Sequence, residues 1–350
     1  MKIIFVVNNL GVGGAQKMAK YVCHSLSEFH HCKIVGLFSR QNIESSEDTI
    51  QLCPPRSSYF IVLRKLRSLL KVENPDLVVA FGTDSVVLSY IASCGLKIKI
   101  VGSERNDPSQ LSFPWLMASR FIYPKCDGFS FQLEKVMSFY HMNSSTTVQV
   151  IPNAYFGKSY NSFIKAKYRT KEVACVSARV DHQKGLDVLL RAFKIVHNTY
   201  PEYKLTIYGR LTNWSELTAL ISELGIEQFV VFKGQTDCLS DSIHASRCFV
   251  LPSRFEGIPN ALIEALASGV PTVSCDCPPG GPRMLTENGK CGLLCDVEDV
   301  EGMAKRICQL IEDDDLCNSL SGKAQLVQER FEASRITEKW KCLCESVFDL

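Results

Sequence analysis

The feature that most constrains this chain is the run Ile3 to Val7, five apolar residues in a row closed by Asn8 and Asn9. A strand that is apolar on both faces belongs inside a parallel sheet covered by helices on both sides. The turn Gly11-Val12-Gly13-Gly14 follows, then a helical pattern through Met18, Tyr21, Val22 and Leu26. Comparable apolar runs recur at Lys33–Phe38, Leu77–Ala80, Ile98–Val101, Gly128–Phe131 and Val148–Ile151, with helical patterns between them. Strands alternating with helices predict an open, doubly wound parallel sheet.

The same alternation restarts later, with strands expected at Val173–Ser177, Leu205–Tyr208, Phe229–Phe232, Cys248–Leu251 and Thr272–Ser274. Between the two series, Tyr155 to Lys171 is rich in Ser, Asn, Gly, Lys and aromatic residues and has no periodicity. The expected architecture is α/β, two Rossmann-like parallel-sheet domains facing a cleft, the usual place for a ligand. Residues 1–158 would form the first domain, 159–171 a linker and 172–332 the second domain. The last helical pattern, 333–350, carries Ile336, Trp340, Leu343 and Val347 and is expected to pack back on the first domain.

A length of 350 residues accommodates two domains. The net charge of +2 gives no case for nucleic acid as a partner. No apolar run approaches the roughly 20 residues that span a bilayer. The N-terminal segment reads as a first strand, not as a signal peptide, so a cytoplasmic protein is expected, with a peripheral position on the inner face of the membrane as an option. The sixteen cysteines mostly sit singly inside apolar runs, where Cys acts as a small hydrophobe. Cys275/Cys277 and Cys342/Cys344 form C-x-C pairs without zinc-type spacing, so neither a metal nor a cofactor is expected.

The segment FEGIPNALIEALASGVP, Phe255 to Pro271, places Glu256 and Glu264 across a loop-to-helix junction with seven residues between them. Gly257 permits a tight or positive-φ turn and Pro259 suits a first helical position. Ala261, Leu262, Ala265 and Leu266 predict a buried face, with Asn260, Glu264 and Ser268 opposite. A helix start between two carboxylates is a ready anion site. An ordinary amphipathic helix with a solvated Glu fits the spacing as well.

Open α/β sheets bind ligands beyond the C-terminal ends of their strands. There the second domain is expected to bring Arg179 and Lys184 after its first strand, Gly209 after its second, and Glu256 to Asn260 after its fourth. Arg and Lys suit a diphosphate, and carboxylates accept hydrogen bonds from sugar and ribose hydroxyls. The set describes a nucleotide-sugar site.

The runs SARVDHQKGLDVLLRAF and VLPSRFEGIPNALIEALASGVPTVSCDCP, with GVGGAQ near the start, resemble glycosyltransferase family 4 over essentially the whole chain. The resemblance implies a GT-B fold and a retaining transfer of a hexose-type sugar from a nucleotide-sugar, a UDP-sugar foremost, without a catalytic metal. It implies that Arg179 and Lys184 neutralise the donor diphosphate, and that Glu264 holds the ribose. Glu256 would hold the transferred sugar beside the backbone of Gly257, Ile258, Pro259 and Asn260. Gly209 would lie along the donor, and Gly13 and Gly14 would admit the phosphates from the first domain. GSERNDP (Gly102–Pro108) and CDCPPGGPR (Cys275–Arg283) further resemble bacterial enzymes that build exopolysaccharide, capsule or O-antigen on lipid-linked carriers. Where many members place a His near the donor sugar, this chain has Ser103 to Asp107, which puts Glu104, Arg105 or Asn106 on the acceptor side. Met284 stands where many relatives carry Glu.

The segment Phe60 to Lys71 is a basic amphipathic helix, with Leu63, Leu66 and Leu70 on one side and Arg64, Lys65, Arg67 and Lys71 on the rest. A solvated surface helix and contact with an anionic membrane both fit it. The competing activities are a nucleotide-sugar epimerase of similar fold and a non-catalytic glycosyltransferase-like subunit.

Overall fold

A computed structural model describes residues 1–11, 13–38, 47–177, 181–209 and 214–348, with Trp214 described in its backbone only. The chain forms two compact units, Met1–Ala154 with Ala333–Leu350, and Tyr155–Glu332. In the first, the strands are β1 (Lys2–Val7), β2 (His31–Phe38), β3 (Thr49–Cys53), β4 (Leu77–Phe81), β5 (Lys99–Glu104), β6 (Gly128–Phe131) and β7 (Thr147–Val150). They form one parallel sheet in the order β3-β2-β1-β4-β5-β6-β7. The all-apolar runs lie at its centre, where Ile3 to Val6 and Leu77 to Ala80 are fully buried.

The second unit contains β8 (Thr170–Val176), β9 (Lys204–Tyr208), β10 (Val230–Gly234), β11 (Ser246–Leu251), β12 (Thr272–Cys275) and β13 (Leu293–Cys295). Its parallel order is β10-β9-β8-β11-β12-β13. Both sheets reverse direction after their first strand, between β1 and β4 and between β8 and β11. That reversal opens a crevice at the C-terminal strand ends. The core of the second unit joins Cys175, Cys248, Val250 and Cys275 to Leu189 and Phe193 of the Leu186–Thr199 helix and to Ile307 of the Val300–Glu312 helix. Fully burying Phe193 contributes about 1.5–3 kcal/mol. Burial pushes the Cys175 and Cys248 thiols up to about 12, so they are inert packing groups.

The Ala333–Phe348 helix packs in the first unit through Ile336, Trp340, Leu343 and Val347, all buried. Trp340 stacks on Phe81 of β4 at 5.0 Å. Two strands have no counterpart among the expected runs: β3 (TIQLC), whose apolar residues are interrupted by Gln51, and β13 (LLC), which is apolar but only three residues long. Each is an edge strand, half-buried and short, so neither needs two apolar faces.

Candidate functional site

Strand order brings two distant loops together in the second unit. The His182–Lys184 turn follows β8, and residues Pro252 to Glu256 follow β11. Lys184 Nζ donates to Glu256 Oε1 at 2.6 Å, across 72 residues of sequence. Ser253 Oγ donates to the same oxygen at 3.0 Å, and the Glu256 N–H donates to the Pro278 carbonyl at 2.9 Å. Both side chains keep partial exposure, 23% for Lys184 and 12% for Glu256, so a ligand can reach them. Arg179, placed beside them by the sequence, lies outside the described residues.

One residue that the sequence reading passed over clasps the two loops. The Arg254 N–H donates to the Gln183 carbonyl at 2.8 Å, and its Nη1 donates to the His182 carbonyl at 2.8 Å. The same guanidinium takes Asp187 bidentately, at 2.9 and 2.7 Å, and turns its Nε and Nη2 to Glu298. Gln183 Nε2 returns a bond to the Phe255 carbonyl at 3.1 Å. Hydrogen bonds from Arg254 hold the Asp187 and Glu298 carboxyls below their usual range.

Two glycines make the close approach possible. Gly185, at φ +60°, would place a Cβ 2.1 Å from the Pro252 carbonyl oxygen. Gly281 would place one 1.6 Å from the Gly257 carbonyl oxygen. The tight packing therefore depends on Gly281, and Gly257 itself is not among the left-handed glycines that the sequence allowed for. Gly281→Ala is expected to push the Glu256 loop off the Cys277–Gly281 loop and to cost about 1–3 kcal/mol as overpacking. Thermal melting together with nucleotide titration checks this; an unchanged Tm and unchanged affinity would contradict it.

The helix after the loop runs Asn260–Ala267, with Pro259 at its N-cap position and no side-chain cap. Glu264 lies about one turn inside it. Asn260, Ala261 and Glu264 keep partial exposure, while Leu262, Ile263, Ala265 and Leu266 are buried. Ser268 departs from the expected polar face: it follows the helix end, is fully buried, and donates to the Ala265 carbonyl at 2.9 Å. Gly209 follows β9 at φ +126° and donates its N–H to the carbonyl of Gly234, the last residue of β10, at 2.7 Å. Ile258 is buried.

In the first unit a cavity of about 330 Å³ opens at the reversal between β1 and β4. Asn8, Gln16, Asp84 and Asn106 line it with the rings of Tyr59 and Trp115, which meet edge to face at 5.2 Å. Asp84 Oδ2 accepts from Asn8 Nδ2, and Oδ1 accepts from the Ser85 N–H at 2.9 Å. Burial raises the Asp84 carboxyl, and its hydrogen bonds offset part of that. None of Tyr59, Asp84 and Trp115 stood out in the sequence as a site residue.

The three acceptor-side candidates take different positions. Glu104 is buried, accepting from Thr83 Oγ1 at 2.8 Å, Tyr123 Oη at 2.6 Å and the N–H groups of Arg105 and Asn106. Arg105 is buried too, with its guanidinium over the Phe81 and Trp340 rings at 5.1 and 5.4 Å. Its Nη1 donates to the Ile151 carbonyl at 3.4 Å and to Asn153 Oδ1 at 3.2 Å. Asn106 is exposed at the cavity. Gly13 precedes the Gly14–Leu26 helix in extended conformation, and Gly14 is the first residue of that helix.

Among the described residues no group of three or more His, Cys, Asp or Glu side chains is placed to hold a metal ion. No described helix is long and apolar enough to cross a membrane.

Residues 158–327 match the family described as glycosyl transferases group 1. A protein of Haemophilus influenzae called an uncharacterized glycosyltransferase is 26% identical over 97% of this chain and 99% of its own length. A Campylobacter jejuni protein is 25% identical over 99% of each chain. Its name is GalNAc-alpha-(1->4)-GalNAc-alpha-(1->3)-diNAcBac-PP-undecaprenol alpha-1,4-N-acetyl-D-galactosaminyltransferase. Among solved structures, Anabaena Alr3699/HepE in complex with UDP-glucose superposes with a TM-score of 0.81 at 18% identity, covering 100% of both chains. That likeness shows the fold, which is GT-B.

Proposed function

The chain belongs to the group 1 family of glycosyltransferases, and from that premise we propose that it moves a hexose-type sugar from a UDP-sugar, with retention, onto a saccharide acceptor carried on a lipid. The observation that carries this reading is the Lys184–Glu256 pair at the sheet reversal of the second unit, beside a helix start without a side-chain cap. On donor binding, Lys184 would turn from Glu256 to the diphosphate, with Arg179 as its partner. Glu256 would then be free to accept hydrogen bonds from the transferred sugar, and Glu264 from the ribose. As the bond to the diphosphate breaks on the face that the acceptor attacks, negative charge grows on the leaving group. Lys184 and the helix start would stabilise that charge more than they stabilise the ground state.

The UDP-glucose complex of the structural neighbour supports the nucleotide, and the undecaprenol-linked acceptor in the Campylobacter name supports a lipid carrier. The product would then enter a surface polysaccharide such as an exopolysaccharide, capsule or O-antigen. The test is a panel of UDP- and GDP-sugars scored for nucleotide release, with and without a lipid-diphosphate-linked saccharide. Acceptor-dependent release from a UDP-sugar is expected. Donor isomerisation without an acceptor would overturn the reading.

The first unit carries a surface suited to the lipid. On the Tyr59–Glu73 helix, Phe60, Ile61, Arg64, Lys65, Lys71 and Val72 are exposed. Arg67 is instead spent on the Ala92 and Cys94 carbonyls, both at 2.8 Å. On the Phe113–Ile122 helix, Phe113, Met117 and Phe121 are exposed at four-residue spacing. The Tyr59–Trp115 contact joins the two helices, and neither exposed face bears an acid. An apolar face among cations suits an anionic bilayer surface. Replacing Phe113 and Phe121 together by Ser is expected to weaken co-sedimentation with anionic vesicles by more than about tenfold. Each phenylalanine withdrawn from water contributes about 1.5–3 kcal/mol. Equal sedimentation of variant and parent would remove this surface from the reading.

A further inference from the structure

The Asn260–Ala267 helix offers its start to the donor, and two side chains grip its other end. The Ser268 N–H donates to the Glu264 carbonyl and the Gly269 N–H to the Leu266 carbonyl. The next two carbonyls outward receive side chains instead. His244 Nδ1 donates to the Ser268 carbonyl at 3.0 Å, and Arg169 Nη2 donates to the Gly269 carbonyl at 2.7 Å. Arg169 immediately precedes β8 and is 9% exposed. Its Nη1 donates to the His244 and Ser246 carbonyls at 3.0 and 3.1 Å, and its Nη2 also reaches Ser321 Oγ at 3.2 Å. His244 closes the Leu239–Ile243 helix, so one guanidinium meets the carbonyl ends of two helices.

The described acceptors of Arg169 are three carbonyls and a hydroxyl, with no carboxylate among them. The neighbouring Arg247, by contrast, pairs with Asp314 at 2.7 Å. Burial pulls the Arg169 guanidinium down to about 10, which leaves it charged at neutral pH. Burying a cation without a carboxylate is costly, and the partial negative charge at helix C-terminal ends offsets part of that cost. An apolar side chain would fill the space without it. What only the guanidinium does is bind several segments at one point, and three of them carry the donor residues. β8 starts beside Arg169 and ends shortly before the Lys184 turn; β11 starts at Ser246 and ends shortly before Glu256. The helix that ends before Gly269 carries Glu264. Its eight residues span about 12 Å and move as one rod, so a shift at its floor is passed to its start.

We propose that Arg169 and His244 are positioning residues of the donor site: they fix the Asn260–Ala267 helix along its axis against β8 and β11, so that the helix start and Glu264 keep their height relative to Lys184 and Glu256. This rests on the reading of the second unit as a UDP-sugar site. The helix exit has little slack on its other side. At Gly269, with φ +70°, a Cβ would stand 2.7 Å from the Phe163 Cβ.

The test measures UDP affinity by calorimetry, at a temperature where melting curves show each variant folded. Arg169→Lys keeps the charge and loses the fork. It is expected to raise the Kd for UDP about tenfold, within what a misplacement of about 1 Å can cost. His244→Ala, a milder change at a half-buried position, is expected to raise it about threefold, the lower range for one hydrogen bond. A role confined to stability would lower Tm and leave affinity alone. An unchanged Kd in folded Arg169→Lys, or in His244→Ala where Arg169→Lys does not fold, would therefore overturn the proposal. Coupling gives a second readout, because effects at sites this far apart normally add. Arg169→Lys combined with Lys184→Ala is expected to weaken UDP by less than the product of the single effects, since the helix then has no cation to stay level with. Full multiplication of the two effects would overturn the proposal. Absence of UDP binding by the parent protein would overturn the reading of the site and this proposal with it, whereas parent binding with unchanged variants overturns the proposal alone.

Discussion

Lys184→Ala is expected to lower kcat for sugar transfer by about 10²–10³, the usual cost of removing one group aimed at charge that develops in the transition state. Lys184 is held in place by the Asp181-capped turn and by the 2.6 Å contact with Glu256. Its removal takes away a pre-positioned cation without opening the core. Glu256→Ala is expected to lose a comparable factor by a different route, because the transferred sugar loses a hydroxyl acceptor and Lys184 loses the partner that aims it. The two effects should not add, since each residue positions the other. Single-turnover kinetics of both single variants and the double variant check this. Transfer near the parent rate by either single variant would discard the assigned site.

Arg254→Ala is expected to produce the second largest effect, through position alone. Its guanidinium binds the His182 carbonyl, Asp187 and Glu298, while its backbone binds Gln183. The two loops that carry Lys184 and Glu256 would lose their clasp. Donor KM is expected to rise about tenfold, because misplacement by about 1 Å can cost up to 10²-fold. Arg254→Lys should not restore it, since an ammonium cannot reproduce the bidentate fork.

A pH signature accompanies the change. Asp187 and Glu298 have folded values depressed below about 3.8 and 4.5, chiefly by hydrogen bonds from Arg254. Their contribution to stability is therefore complete above those ordinary values and is lost as pH falls through the depressed ones. The melting difference between parent and Arg254→Ala should be present at neutral pH and vanish in acid. Both carboxylates are about half exposed, so solvent screening keeps that difference small and the kinetic readout decides. A difference that grows in acid would mean that Arg254 acts through something else.

Much of the fold is legible in the chain itself because apolar periodicity is a local property. Ile3 to Val7 and Leu77 to Ala80 must be central strands, since five or four successive apolar residues leave no face for water. The family match likewise agrees with the resemblance carried by the second-half motifs. The limits are also local. β3 and β13 sit at sheet edges; Gln51 interrupts the apolar residues of the first, and the second is only three residues long, too short for its spacing to mark a strand. Ser268 has the helical spacing of a polar face and is nevertheless buried, because the chain has already left the helix there.

The candidate site divides in the same way. Lys184, Glu256 and Glu264 could be singled out because each lies in a loop or helix start whose chemistry is written in neighbouring residues. Arg254 could not, because its four partners come from the turn after β8, the start of the Leu186–Thr199 helix and the segment after β13. Asp84 could not either: a lone Asp three positions beyond a strand has no meaning until β1 and β4 are known to be neighbours. Glu104 and Arg105 show the reverse. Their residue types pointed to ligand contact, and the fold buries both, Glu104 under four hydrogen-bond donors and Arg105 against the Phe81 and Trp340 rings, with its Nε and Nη2 left without a partner.

By itself, then, the sequence determined the central strands, most of the helices and which loops carry charge, since these follow from spacing along the chain. Only the tertiary structure decided which loops meet. The reversal of strand order between β1 and β4, and between β8 and β11, sets residues more than 70 positions apart side by side. That adjacency joins Lys184 to Glu256 and Asp84 to Asn8, and no local spacing contains it.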